Sequence, residues 1–196
     1  MLIEAFRDRL MIEACCERPS GNLIQIPNSE NERDLKKVFI DCSEADEALL
    51  IRLERKNIPL CPLFRSAGPS PHQKACDGIL LIEKGGHLHA VFCELKTTWN
   101  RAAIKQIRNS HLFFNYAHAV AKEWHEASDR EVTTWFAVIT RSKIPVKKNK
   151  TKFDLSAIPN THKPSRDVSK PRSLQLSNGE GQTAGNPLKL SKLARI

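Results

Sequence analysis

No apolar run in the chain approaches the roughly 20 residues that cross a bilayer, so a helical membrane protein is not expected. The first residues, MLIEAFRDRLMIEACCER, lack the unbroken apolar centre of a secretory signal because Glu4, Arg7, Asp8 and Arg9 interrupt it. The cysteines (Cys15, Cys16, Cys42, Cys61, Cys76 and Cys93) form no CxxC pair, no zinc-ribbon spacing and no compact disulfide framework. Free thiols in a reducing compartment follow, and a soluble cytoplasmic protein is the class that these absences leave. A zinc site drawn from the scattered histidines with Cys76 or Cys93 is a minor alternative. Acidic residues are nearly missing from one end. From Arg141 onward 13 Lys and Arg stand against 3 Asp and Glu, whereas up to Thr140 there are 18 against 19. The formal net charge of +9 therefore belongs to the last 56 residues.

What remains is enough for one domain. At 196 residues and 40% apolar content, the chain can bury a core and still carry an appendage. Ile3, Phe6, Leu10 and Ala14 form a helical stripe in residues Met1 to Arg18, read as a packing helix or a partner-contacting one. Leu23 to Ile26 and Val38 to Ile40 are short strand candidates. Ser43-Glu44-Ala45-Asp46 reads as a capping box, opening a helix to about Asn57 with Ala45, Leu49 and Leu53 inward. A strand from Ile58 to Arg65 and a Pro-rich loop from Ser66 to Lys74 are expected next. Further on, a helix from Asn100 to about Trp124 and a buried strand, Thr133 to Thr140, complete the pattern. Beyond Arg141 the Ser-, Pro-, Gly- and Asn-rich composition predicts a disordered basic tail, whose Lys147 and Lys148 suit salt-sensitive contact with nucleic acid.

The most informative stretch is Cys76 to Thr98, CDGILLIEKGGHLHAVFCELKTT. Gly85-Gly86 between two apolar runs predicts a hairpin with a two-residue turn. With Lys84 facing His87, counting outward sets Asp77 opposite Glu94, two carboxylates roughly 5 Å apart. Such a pair repels itself unless a cation lies between, and hard divalent ions take carboxylate oxygens. Alternation places Lys96 on the same face, about 7 Å along the strand from Glu94. That face also carries Leu88, Ala90 and Phe92, and charges that end an apolar stripe are costly unless partnered. Asp77, Glu94 and Lys96 together make a hydrolytic constellation.

The order of these elements resembles the PD-(D/E)XK nuclease superfamily over roughly Ser43 to Arg141. It is closest in style to restriction-type endonucleases and Holliday junction resolvases. The resemblance is carried by Glu47, Asp77, Glu94-Leu95-Lys96 and Gln106. Cys76 stands where the family often has proline, and Ser110 where one branch has tyrosine. The resemblance implies an α/β fold: a central mixed four-stranded sheet flanked by helices, with an N-terminal helical extension and a disordered basic C-terminal tail. It divides the chain into an extension (1–42), a nuclease-like core (43–141) and the tail (142–196). It further implies metal binding by Glu47, with Glu44 as the alternative, and by Asp77, Glu94 and the Leu95 carbonyl, with Lys96 activating water and Gln106 counted with Asp77, Glu94 and Lys96 as a catalytic residue. Lys74, Arg101, Lys105 and Arg108 are then expected phosphate contacts. The expected activity is Mg2+-dependent hydrolysis of DNA, with Mn2+ as a substitute, in a defence, restriction or transposition system that supplies a targeting partner or uses a homodimer. The rival expectation is a nuclease-like binding or assembly subunit that no longer cleaves.

Overall fold

The computed structural model describes residues 2–11, 15–28, 35–53, 74–97, 101–125, 130–140, 166, 172–176 and 181–193. The strand expected from Ile58 to Arg65, nearly all of the loop from Ser66 to Lys74, and Lys147 and Lys148 lie outside these residues.

The chain begins with a short helix, α1 (Leu2–Ala5), which continues as a π-helical turn, Phe6–Leu10. Three strands follow: β1 (Cys16–Glu17), β2 (Leu23–Pro27) and β3 (Lys37–Asp41). Next come β4 (Glu47–Ile51), β5 (Gly78–Lys84) and β6 (His87–Lys96). Helix α2 (Arg101–His125), β7 (Val132–Thr140), β8 (Arg172–Gln175) and β9 (Leu188–Lys189) complete the described elements. A mixed sheet has the order β1-β4-β5-β6-β7-β8, and a smaller one the order β2-β3-β9. The larger sheet exceeds the four strands expected, because the N-terminal β1 and the tail's β8 join its edges.

Both faces of the larger sheet are covered. On one, Leu49, Ile79, Leu81, Ala90, Phe92, Phe136 and Val138 pack with α1 and α2, and Phe6 stacks on Phe114 at 5.3 Å between ring centroids. On the other, Leu50, Leu80, Val91, Leu95 and Ile139 meet Ile24, Ile26, Val38 and Ile40 of the small sheet. Strands buried on both faces read as continuous apolar runs rather than alternating ones. This explains the main misreading of the sequence. Ala48-Leu49-Leu50-Ile51 is such a strand, sending Leu49 and Ile51 to one face and Ala48 and Leu50 to the other. The helix expected from Ser43 to Asn57 therefore does not form across β4. Its capping serine instead follows an Asx turn in which Ser43 N donates to Asp41 Oδ1 at 2.9 Å.

The tail is likewise less uniform than its composition implies. β8 runs parallel to β7, β9 pairs with β3, and Leu176, Leu188, Leu190 and Leu193 are buried in the second core. The N-terminal stripe is shorter than expected, its helical turns ending at Leu10. Among the described residues no helix is long and apolar enough to cross a membrane.

Three histidines pack against these cores as neutral rings, His89 buried and His111 and His118 half-buried. Nδ1 of His89 accepts the Trp135 Nε1–H at 3.3 Å, while His111 lies edge-on to Phe92 and Phe136 and His118 stacks on Phe114. Burial is the main cause that lowers the pKa of all three, assisted at His89 by His87 and Lys84 and at His118 by Lys122. In the unfolded chain they titrate near 6.5. As pH falls below that value the unfolded state takes up protons first, so stability falls until the lower folded pKa values are passed. The urea midpoint at pH 5.5 is therefore expected below that at pH 7.5, and His111→Phe with His118→Leu should flatten the difference. Equal midpoints in the wild type would contradict the neutral assignment.

Candidate active site

The Gly85-Gly86 turn has positive φ at both residues, 56° and 77°, the pairing that type I′ hairpin turns require. Asp46 Oδ2 accepts the Gly85 N–H at 2.6 Å and holds the turn. The register from Lys84 opposite His87 to Gly78 opposite Cys93 is the expected one. Asp77, the next residue outward, meets Glu94 as anticipated. Asp77 N donates to Glu94 Oε2 at 3.2 Å, and Leu95 N donates to Asp77 Oδ2 at 2.7 Å. Lys96 Nζ lies 2.8 Å from Glu94 Oε1. Asp77, Glu94 and Lys96 are 4%, 0% and 1% exposed, so this polar cluster sits inside the protein at the end of an apolar stripe.

Helix α2 closes one side of the cluster. Gln106 is buried and Nε2 donates to the Ala75 carbonyl at 3.4 Å. Ser110 Oγ accepts the Cys76 N–H at 2.8 Å and donates to the Gln106 carbonyl at 3.0 Å. Asn109 Nδ2 donates to the Lys74 carbonyl at 2.9 Å. One helical face, at i, i+3 and i+4, thus pins the segment from Lys74 to Cys76 that delivers Asp77. Asn109 escaped the sequence reading, and Ser110 entered it only as a departure from a family pattern. The readable signal was three polar residues bordering an apolar helical stripe. A second unanticipated residue is Asn28, buried just past β2, whose Nδ2 donates to the Leu95 carbonyl at 3.2 Å.

Glu47 does not reach the cluster. It begins β4 opposite Glu83 and sits 3.3 Å from Arg7. Glu83 and Asp77 are six residues apart along one chain, about 20 Å of strand. Glu44 approaches Lys84 at the same distant end. Arg101, Lys105 and Arg108 are exposed on α2, and Lys74 is half-buried.

The donor set suits a hard cation. The two carboxylates, Asp77 and Glu94, offer oxygen only, and Mg2+ takes few protein ligands while keeping several waters. Among the described residues no group of three or more His, Cys, Asp or Glu gathers into a cage. Zinc is poorly served. Cys76 is buried in one core and Cys93 in the other, so the two thiols do not converge, and burial raises the pKa of both. Comparisons with family models, with curated proteins and with solved structures return no match.

Proposed function

We propose that the chain is a metal-dependent DNA nuclease with a PD-(D/E)XK-like, restriction-endonuclease-like core. The observation that carries this reading is the buried convergence of Asp77, Glu94 and Lys96 at the paired ends of β5 and β6. The antiparallel run β4, β5 and β6 followed by helix α2 and the parallel strand β7 supports it, while the first helical turns, residues 2–10, precede it in the chain by three strands, β1 to β3.

Asp77 and Glu94 would hold Mg2+ or Mn2+, with the Leu95 carbonyl as a third oxygen. When bound, such an ion supplies Lewis-acid polarisation of the phosphoryl group and lowers the pKa of a coordinated water. Lys96 donates to the attacking water and balances Glu94. The water oxygen bonds to phosphorus, the ester P–O bond breaks with its electron pair leaving on the sugar oxygen, and solvent accepts the water's proton and protonates that oxygen. Lys74, Arg101, Lys105 and Arg108 contact backbone phosphates, which position DNA without reading its sequence. Lys147 and Lys148 add affinity that salt removes. Exposed Leu112, Tyr116 and Trp124 on α2 suit a protein partner, either a targeting subunit or a second copy. A cytoplasmic defence, restriction or transposition system fits such a small nuclease.

The displacement of Glu47 favours a second reading, an assembly subunit with an idle site, because one expected ligand is missing. Titration calorimetry with Mn2+ separates the two. A working site gives a heat of binding that Asp77→Asn abolishes, accompanied by EDTA-sensitive cleavage of linear and plasmid DNA in Mg2+. No binding and intact DNA would contradict the nuclease.

A further inference from the structure

Thr140 ends β7 and pairs in parallel register with Lys96. Partners in register project to the same face, and neighbouring strands lie about 4.8 Å apart. On that face β7 presents Phe136, Val138 and then Thr140, beside Phe92, Glu94 and Lys96 of β6. Polarity therefore begins on both strands at the same end of the sheet.

Thr140 is fully buried, and its Oγ1 has no hydrogen-bond partner among the described residues. Its main chain is engaged, the carbonyl accepting Leu176 N–H at 2.8 Å, so the side chain alone is left over. Burying a hydroxyl without a partner is destabilising, and valine would fill the same volume without that cost. A buried hydroxyl that no described residue uses, on the strand position that pairs with Lys96 and on the same face, is best explained by something that enters the site.

We propose that Thr140 is a fourth polar member of this site, its hydroxyl and the Lys96 ammonium together holding the water that attacks the phosphodiester. The inference rests on the nuclease reading above. The hydroxyl accepts from or donates to that water and is not consumed, so bond making and breaking remain as already described. Thr140 thereby restricts where the water oxygen can sit relative to phosphorus.

The test measures two quantities in Thr140→Val and Thr140→Ser. In metal-free buffer, Thr140→Val should be as stable as the wild type or more so, because it removes an unsatisfied buried group. In Mg2+ its kcat on DNA should fall about ten- to a hundredfold, the size of one hydrogen bond made in the transition state. Thr140→Ser, which keeps the hydroxyl, should recover most of that rate. Wild-type cleavage with an undiminished Thr140→Val rate overturns the Thr140 role and leaves the nuclease standing. A Thr140→Val variant that is both slow and less stable also overturns it, since the hydroxyl would then be structural. A wild type that cleaves no DNA overturns the nuclease reading and this inference with it.

Discussion

Lys96→Met is expected to lower the free energy of unfolding by about 3–5 kcal/mol, as removal of one partner from a buried ion pair generally does. Lys96 and Glu94 are 1% and 0% exposed, with Nζ and Oε1 2.8 Å apart, so water screens little of their attraction. Methionine keeps the length and apolar stem of lysine but leaves the Glu94 carboxylate buried next to that of Asp77. Most of the loss should return in the double variant Glu94→Gln, Lys96→Met, because the stranded charge is gone. Added Mn2+ should narrow the gap for Lys96→Met alone, since a bound cation takes over the balancing charge. Urea unfolding of the wild type and these two variants, with and without Mn2+, reads all of this. A Lys96→Met variant as stable as the wild type would show that the pair is solvated and that the buried-cluster description fails.

Asp77→Asn and Glu94→Gln are each expected to slow Mg2+-dependent DNA cleavage by at least about a thousandfold, the scale seen when one member of a group that acts as a unit is removed. Both substitutions keep side-chain size and hydrogen-bonding shape. Asp77→Asn leaves the Glu94–Lys96 pair in place, whereas Glu94→Gln strands the ammonium and costs stability, so its rate is read at a temperature where urea unfolding shows it folded. Asp77→Asn still offers a carbonyl oxygen to Leu95 N, and Glu94→Gln still offers one to Asp77 N. The double variant should be no slower than either single one, because a site without its cation has nothing more to lose. Rates that multiply would indicate that the two carboxylates act separately.

The candidate site was legible where local geometry decided it. Gly85-Gly86 admits a tight turn, the turn sets the register, and the register brings Asp77 to Glu94 with Lys96 beside them. The same holds for α2 and β7, whose apolar patterns are long. Tertiary context decided the rest. Ala45, Leu49 and Leu53 have helical spacing, yet a strand covered on both faces uses all of Ala48 to Ile51, and four apolar residues in a row do not distinguish these states. Glu47 was lost from the site with that helix. The tail was misjudged because its composition is polar on average, while Leu176, Leu188, Leu190 and Leu193 are enough to anchor it when β3 and β7 offer edges. Asn28 was not singled out, and Thr140 was placed only as the end of a strand, because their pairings with Leu95 and Lys96 join distant parts of the chain.

The most direct test of the central claim is single-turnover cleavage of end-labelled DNA by wild type and Asp77→Asn, each in Mg2+ and in EDTA. The account predicts cleavage only by the wild type in Mg2+. Equal cleavage by both proteins, or cleavage that persists in EDTA, would contradict it.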